Sequence, residues 1–401
     1  MDNGICKSRR LSLLVLILFF LQCFGVVVLD FQVLKYLFTF SLIGIMLLSK
    51  TTMKRKNALV IVYFLFVLLS CVYSQVVHGQ SLLRVLVNSY SYIAILFVFT
   101  IDKFKLGNND IRKVLINLCL FFSICYTIQY LIYPVVLFVG ANDSNAINAA
   151  QFRMRLPGSI CGYILYFYGI NQYIYSKNKK FLLYSLAGFF PILMQGFRSL
   201  MALMVVFTLL MIPFVTRKLS KSIKWLTGLV IVGALSFNVP MVSEKYNEMM
   251  ERQTSDQTFD NSDYVRYLAL DYFSTQVFTH PGERFFGGGF PLSDTKYGKS
   301  VTSVASTDGF WWVDLGIIGL SFLIGIPAAI CLVLIVLKCV RLSKNPQEQY
   351  IRFALLTVLF GSIMTSMELF RDGNILILGI IYYLIINKNE ENRYFNFSQS
   401  L

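Results

Sequence analysis

Histidine is nearly absent. The chain has two in 401 residues, His78 and His280, and neither has a partner at catalytic spacing. Chemistry built on histidine is therefore not expected; His280, just before Pro281 at an expected helix end, is the one position left open. Cysteine occurs eight times but never between residues 240 and 308, the longest polar stretch, so neither a disulfide framework nor a zinc site is expected there. Cys23, Cys71, Cys119, Cys125, Cys161 and Cys331 fall inside apolar runs and read as packing residues. Charge is also scarce, at 14% of residues against 56% hydrophobic, with a mean hydropathy of +0.63. That balance excludes an ordinary soluble domain. Internal repeats and low-complexity tracts are missing too.

What is present is a series of apolar runs long enough to cross about 30 Å of hydrocarbon. Twelve are read, at 11–29, 31–49, 58–77, 83–101, 114–139, 159–175, 181–196, 199–215, 225–239, 317–337, 353–369 and 375–387. The expected fold is an all-α, polytopic transmembrane helical bundle forming a single membrane domain over 1–401. The first run follows "KSRR" but has no small-residue cleavage site behind it, so it is read as an uncleaved signal-anchor.

A formal charge of +15 by itself suggests a nucleic-acid partner, but its distribution excludes one. Of the 36 Lys and Arg, 24 lie in seven segments that occupy every second connection. The positive-inside rule then gives one topology with both termini cytoplasmic.

Two outer segments are longer than turns: 140–159, and a large loop at 240–308. Within the latter, "SDYVRYLALDYFSTQVFTHPG" predicts a helix with Ser262 as N-cap. Val265, Leu268, Ala269, Tyr272 and Phe273 form its apolar face, and Pro281-Gly282 stop it. The loop is expected to be a cap of short amphipathic helices over the outer face.

Eight of the twelve remaining basic residues are arginines: Arg84, Arg153, Arg155, Arg198, Arg252, Arg266, Arg284 and Arg371. A guanidinium offers a planar fork of donors that suits phosphate and carboxylate. Arg153, Arg155 and Arg198 map to headgroup depth, where they either meet a lipid-linked phosphate or snorkel to ordinary lipids. Arg266 sits on the loop helix with Asp263 three residues earlier, a pattern that also suits a surface ion pair. "ERFFGGGF" places Gly287 to Gly289 after Arg284; three such amides form either an anion nest or a tight turn. Asp308, followed by Phe310, Trp311 and Trp312, is either a carboxylate with a raised pKa, able to act as a base, or an N-cap for the next span. Glu368 and Asp372 flank Arg371 and are expected to pair with it locally.

Taken in order, these features resemble the bacterial O-antigen polymerase and ligase superfamily. The resemblance covers mainly residues 191–320. It rests on "GFRSLMALMVV" at the head of a span, on Arg266 followed by "THPGERFFGGGF", and on "TDGFWWVDLGIIGL" leading into the next span. Phe197 and Ser199 depart from the Ser and Gly usual around that first arginine. The resemblance implies a GT-C-like bundle in the bacterial cytoplasmic membrane acting on undecaprenyl diphosphate-linked glycans without metal or cofactor. A chain-length regulator protein is an implied partner beside the lipids. Arg198 and Arg266 would hold the diphosphate, with Arg153, Arg155, Arg284, Gly287 and Gly289 as further binding positions. Asp308 and Arg266 would serve the catalytic step. The segment "STDGFWW" has no histidine where ligases carry one, which favours polymerase over lipid A-core ligase. A lipid-glycan flippase is the alternative from another class; transporters usually carry internal repeats and mid-membrane charges, which are not seen here.

Overall fold

A backbone in hydrocarbon must satisfy its own N–H and C=O groups, and the regular structure among the described residues of this computed structural model is entirely helical. The structure describes residues 2–20, 32–138 apart from 134, 154–217 apart from 155, short pieces at 243–244 and 247, 265–364 apart from 344, and 368–399 apart from 372. In chain order the helices are α1 (Asp2–Phe20), α2 (Gln32–Leu47), α3 (Thr51–Lys56), α4 (Ala58–His78), α5 (Leu82–Asn88), α6 (Tyr90–Ile93), α7 (Phe97–Lys103) and α8 (Asn108–Ile132). There follow α9 (Ile160–Ser176), α10 (Lys180–Gln195), α11 (Arg198–Thr216), α12 (Val265–Tyr272), α13 (Pro281–Phe286) and α14 (Lys296–Thr307). The last four are α15 (Gly316–Ile324), α16 (Ile326–Leu342), α17 (Gln349–Met364) and α18 (Asn374–Gln399).

Three helices, α4, α8 and α11, are long and apolar enough to cross a membrane; the pair 82–88 and 90–103, bent by 62°, makes a possible fourth. Shorter apolar helices occur at Val33–Leu47, Lys180–Gln195, Trp312–Ile324 and Asn374–Asn387. The run at 225–239 lies outside the described residues. Exposed leucines, valines and phenylalanines along α1, α2, α4 and α11 leave an apolar outer surface, as a bundle facing lipid requires. The six described cysteines inside or beside these helices, from Cys71 to Cys339, are all buried and unpaired, in agreement with a packing role.

The core is built by close approach. On α9 and α10, Gly169 faces the Ser185 backbone and Gly188 faces that of Tyr166, where any side chain would collide. Small residues at such crossings let helices gain dispersion contact where lipid offers no hydrophobic drive.

The expected span 317–337 is broken. Gly325 (φ 86°, ψ 154°) separates α15 from α16. Pro327 explains why: it has no N–H for the carbonyl four residues back, Leu323. That carbonyl instead accepts the Ser70 hydroxyl of α4 at 2.6 Å and the Gly289 amide at 2.9 Å, while the Phe322 carbonyl accepts the Gly288 amide at 2.8 Å. The glycine tract thus lies along the break as a clasp. Side chains at Gly287 or Gly325 would overlap the backbone opposite, and both hold positive φ.

Polar links gather at two ends of the bundle. At one end Asp110 meets Cys6 and Arg10, Arg112 pairs with Glu348, and the Asn171 amide donates to the Gln347 carbonyl. At the other, Arg84 pairs with Asp294, His78 with Glu283, and Arg371 with Glu368.

Candidate functional site

The second end holds a buried polar cluster. Glu368 opens a short 3-10 turn (Glu368–Phe370) and is fully buried. Its carboxylate accepts the Ser159 hydroxyl. The Asn374 amide donates to Ser159 Oγ at 3.0 Å and to the Glu368 carbonyl, and its Oδ1 accepts the Ile160 amide at 3.0 Å. One asparagine therefore ties together the start of α9, the turn and the start of α18. Arg371 Nε lies 3.0 Å from Glu368 Oε2, as an ion pair out of line for a hydrogen bond. The expected local pairing is there, but in the interior; Asp372 lies outside the described residues.

Among the described residues, Arg371 Nε and Nη2, Glu368 Oε2 and the Tyr163 hydroxyl have no hydrogen-bond partner, and neither has the amide of Gln195, buried at the end of α10. Each buried polar atom left this way costs about 1–3 kcal/mol, so a concentration of them asks for an occupant. The Tyr163 ring is close enough to feel the charges of both Glu368 and Arg371.

The cluster abuts the head of α11. α10 ends at Gly196 in the left-handed conformation, and the chain turns through Phe197 into α11 at Arg198. The Arg371 guanidinium sits 5.2 Å from the Phe197 ring. Phe197 has no oxygen with which to cap α11, so the positive end of that helix faces the same region. The position of Arg198 is thus beside Arg371, although its side chain lies outside the described residues. Arg153 and Arg155 lie outside them too. Met154, between them, is buried, and its carbonyl accepts the Tyr126 hydroxyl at 3.1 Å. Tyr126 in turn lies near enough to Glu368 to feel its charge.

The loop residues sit elsewhere. α12 continues into a π-turn (Phe273–Val277), burying Ala269 and Phe273 but exposing Val265 and Leu268. Ser262 and Asp263 lie outside the described residues, and Arg266, half-buried, is engaged rather than free. Pro281 does not stop a helix but starts one. It occupies the first turn of α13, where Glu283 accepts the His280 amide at 2.9 Å in a capping box. Glu283 is buried and its Oε1 lies 3.0 Å from His78 Nε2. His78 stacks on Tyr297 at 3.9 Å, and the Tyr297 hydroxyl donates to the Gly289 carbonyl at 3.0 Å. Burial, and then the charge of Glu283, pushes the Tyr297 phenol well up. The two histidines thus join one lock that fastens the loop to α4.

Arg284 is exposed, and its Nη2 donates to the Ser274 carbonyl at 3.3 Å, within the loop. The nest reading of Gly287 and Gly289 is overturned: all three glycine amides are engaged, with the carbonyls of Glu283, Phe322 and Leu323. Asp308 is corrected as well. It is the C-cap of α14 rather than the N-cap of the next span, which starts at Gly316. It is exposed and accepts the Thr307 hydroxyl at 2.8 Å, so the low-dielectric burial expected to activate it is not there. Its charge, after burial, helps raise the Tyr272 phenol.

Cluster and loop meet at the outgoing end of α17. Gly316 rests against the Ser362 carbonyl, and the Ser362 hydroxyl accepts the Leu369 amide at 2.8 Å, two residues before Arg371. Among the described residues no group of three or more His, Cys, Asp or Glu could hold a metal ion. No protein-family model matches the chain, and no curated protein matches it.

Proposed function

We propose that the chain is a multi-spanning glycosyltransferase that joins lipid diphosphate-linked glycan repeats at the outer face of the bacterial cytoplasmic membrane, a polysaccharide polymerase of the O-antigen type. In this reading the twelve apolar runs cross the bilayer, α15 and α16 forming one interrupted crossing. The end holding Asp110, Arg112 and Glu348 faces the cytoplasm, where the basic segments lie. The opposite end faces outward.

The observation that carries the reading is Arg371. Its side chain is only 15% exposed beside the head of α11, held by a fully buried carboxylate, with donors left over among the described residues. A guanidinium held at the positive end of a helix suits an anion, and diphosphate is the anion that a lipid-linked glycan brings to headgroup depth. In the reaction, a terminal hydroxyl of the incoming repeat forms a bond to the anomeric carbon of the growing chain. The bond from that carbon to the lipid diphosphate breaks, and the diphosphate leaves with the electron pair. Arg371, with Arg198 at the head of α11, stabilises that departing charge, and Arg153 and Arg155 are assigned the same part from their sequence positions alone. The hydroxyl proton passes to a base on the aqueous side. Water fills that part, since Glu368 is fully buried and already occupied by Ser159 and Arg371.

The test is a ladder. Purified protein supplied with lipid-linked repeat is expected to give products of increasing repeat number. Arg198→Ala with Arg371→Ala is expected to leave single repeats. Polymer of normal length from that double variant would reject the assignment of these arginines, and no ladder from the wild type would reject the function.

A further inference from the structure

A cavity of about 390 Å³ opens between α2, α5 and the chain just after the glycine clasp. Tyr36, Arg84, Asn88 and Ser293 supply its polar groups; Val87, Pro291 and Leu292 supply apolar floor. Its size is within the range of small-ligand sites. Arg84 looks at first like another anion binder. It is not: Nη1 donates to Asp294 Oδ2 at 2.7 Å and Nη2 to Oδ1 at 3.0 Å, a two-pronged pair. Arg84 in turn holds the Asp294 carboxyl below its usual range. The pair cancels its own charge and, about half exposed, leaves further N–H groups and carboxylate lone pairs open on the rim. Beside it, the partly buried Tyr36 and Asn88 add a hydroxyl and an amide to the lining.

An array of paired donors and acceptors without net charge, over an apolar floor, discriminates against an anion. It suits a ligand with hydroxyls on its rim and C–H groups on its faces. We infer that this cavity is a saccharide subsite, taking uncharged sugar residues of the glycan through Tyr36, Asn88 and the Arg84–Asp294 pair. It lies at the same end as the polar cluster and connects to it through packed groups. The Phe290 ring meets Trp312 at 6.5 Å, and the turn that follows Trp312 reaches Gly316 against Ser362. The cavity and Arg371 thus divide the ligand, sugar to one and diphosphate to the other. The inference rests on the polymerase reading for the source of the sugar, and its test is made independent of the reaction.

The probe is the uncharged oligosaccharide freed by mild acid from the producing cell's own lipid-linked repeat, which carries no phosphate. Binding to the full-length protein in nanodiscs is followed by saturation-transfer NMR. Saturable binding is expected, weakened about tenfold by Asn88→Ala and by Tyr36→Phe, the worth of one hydrogen bond each, and not displaced by inorganic pyrophosphate. Tyr36→Phe keeps the ring and serves as the variant whose fold is least disturbed. Unchanged affinity in both variants, displacement by pyrophosphate, or no binding by the wild type overturns the inference. A protein that forms a ladder but binds the oligosaccharide elsewhere loses this subsite and keeps its function. One that binds here and never forms a ladder loses the function alone.

Discussion

Arg371→Ala is expected to slow polymer formation by about 10²–10³-fold, the usual effect of removing one preorganised donor from a developing negative charge. It should also lower stability by about 3–5 kcal/mol, because Glu368 is left charged and fully buried without its partner. The two losses have different causes and can be separated. Glu368→Gln in the Arg371→Ala background removes the stranded charge while keeping an acceptor for Ser159, so most of the stability should return. The rate should not, since the missing guanidinium is what met the substrate. A double variant that regains both stability and rate would make Arg371 a purely structural residue. The coupling between the two sites, read as a double-mutant cycle in thermal unfolding, should exceed that of any exposed ion pair in the chain, such as Arg84 with Asp294.

The second large effect is expected at the other end of the outer loop. Glu283→Ala removes the capping box of α13 and the contact with His78 in one step. A cap contributes about 1 kcal/mol, and taking the facing carboxylate from the buried His78 ring, which it meets as a close contact out of line for a hydrogen bond, costs about 1–3 kcal/mol. Local opening of the clasp should therefore become easier by about 3 kcal/mol, or roughly a hundredfold in the population of the open form. Trypsin reports this directly, because Arg284 is exposed and lies on α13 itself. In detergent-solubilised protein, cleavage after Arg284 should accelerate by about that factor, with Glu283→Gln between the variant and the wild type. An unchanged cleavage rate would mean that the glycine clasp, not the His78–Glu283 contact, holds the loop in place.

Much of the helical plan was legible because it follows from local pattern. Apolar runs without charge form α4 and α11, and the loop helix buries Ala269 and Phe273 of its expected apolar face while Val265 and Leu268 stay exposed. Two misreadings came from proline. Gly325-Ile326-Pro327 marks a break inside an apolar run, but hydropathy alone reads across it. Pro281 after an apolar run reads as an ending, whereas His280 and Glu283 around it spell a beginning. α14 went unseen because "KYGKSVTSVAST" is rich in Gly, Ser and β-branched residues of low helix propensity. Its buried Tyr297, Val301 and Val304 recur at helical spacing, and packing completes what propensity leaves out.

The candidate site was less legible, for a physical reason. Arginines announce themselves, and Arg198 and Arg371 were both visible as outer-face cations. What makes the site is the uncharged set around them: Ser159, Tyr163, Gln195 and Asn374, drawn from three parts of the chain. No spacing rule connects Ser159 with Asn374, which are 215 positions apart. Only the fold brings them to one carboxylate. Conversely, Asp308 looked buried because aromatic residues follow it, whereas the end of α14 carries it out to solvent.

The most direct measurement is binding of undecaprenyl diphosphate, without sugar, to the protein released from nanodiscs in native mass spectrometry. The wild type should retain the lipid diphosphate and lose it on Arg371→Ala by tenfold or more, while undecaprenol, which lacks the charge, binds both proteins equally. Equal retention of the diphosphate by the wild type and the Arg371→Ala variant would contradict the claim that this guanidinium grips a lipid-linked anion.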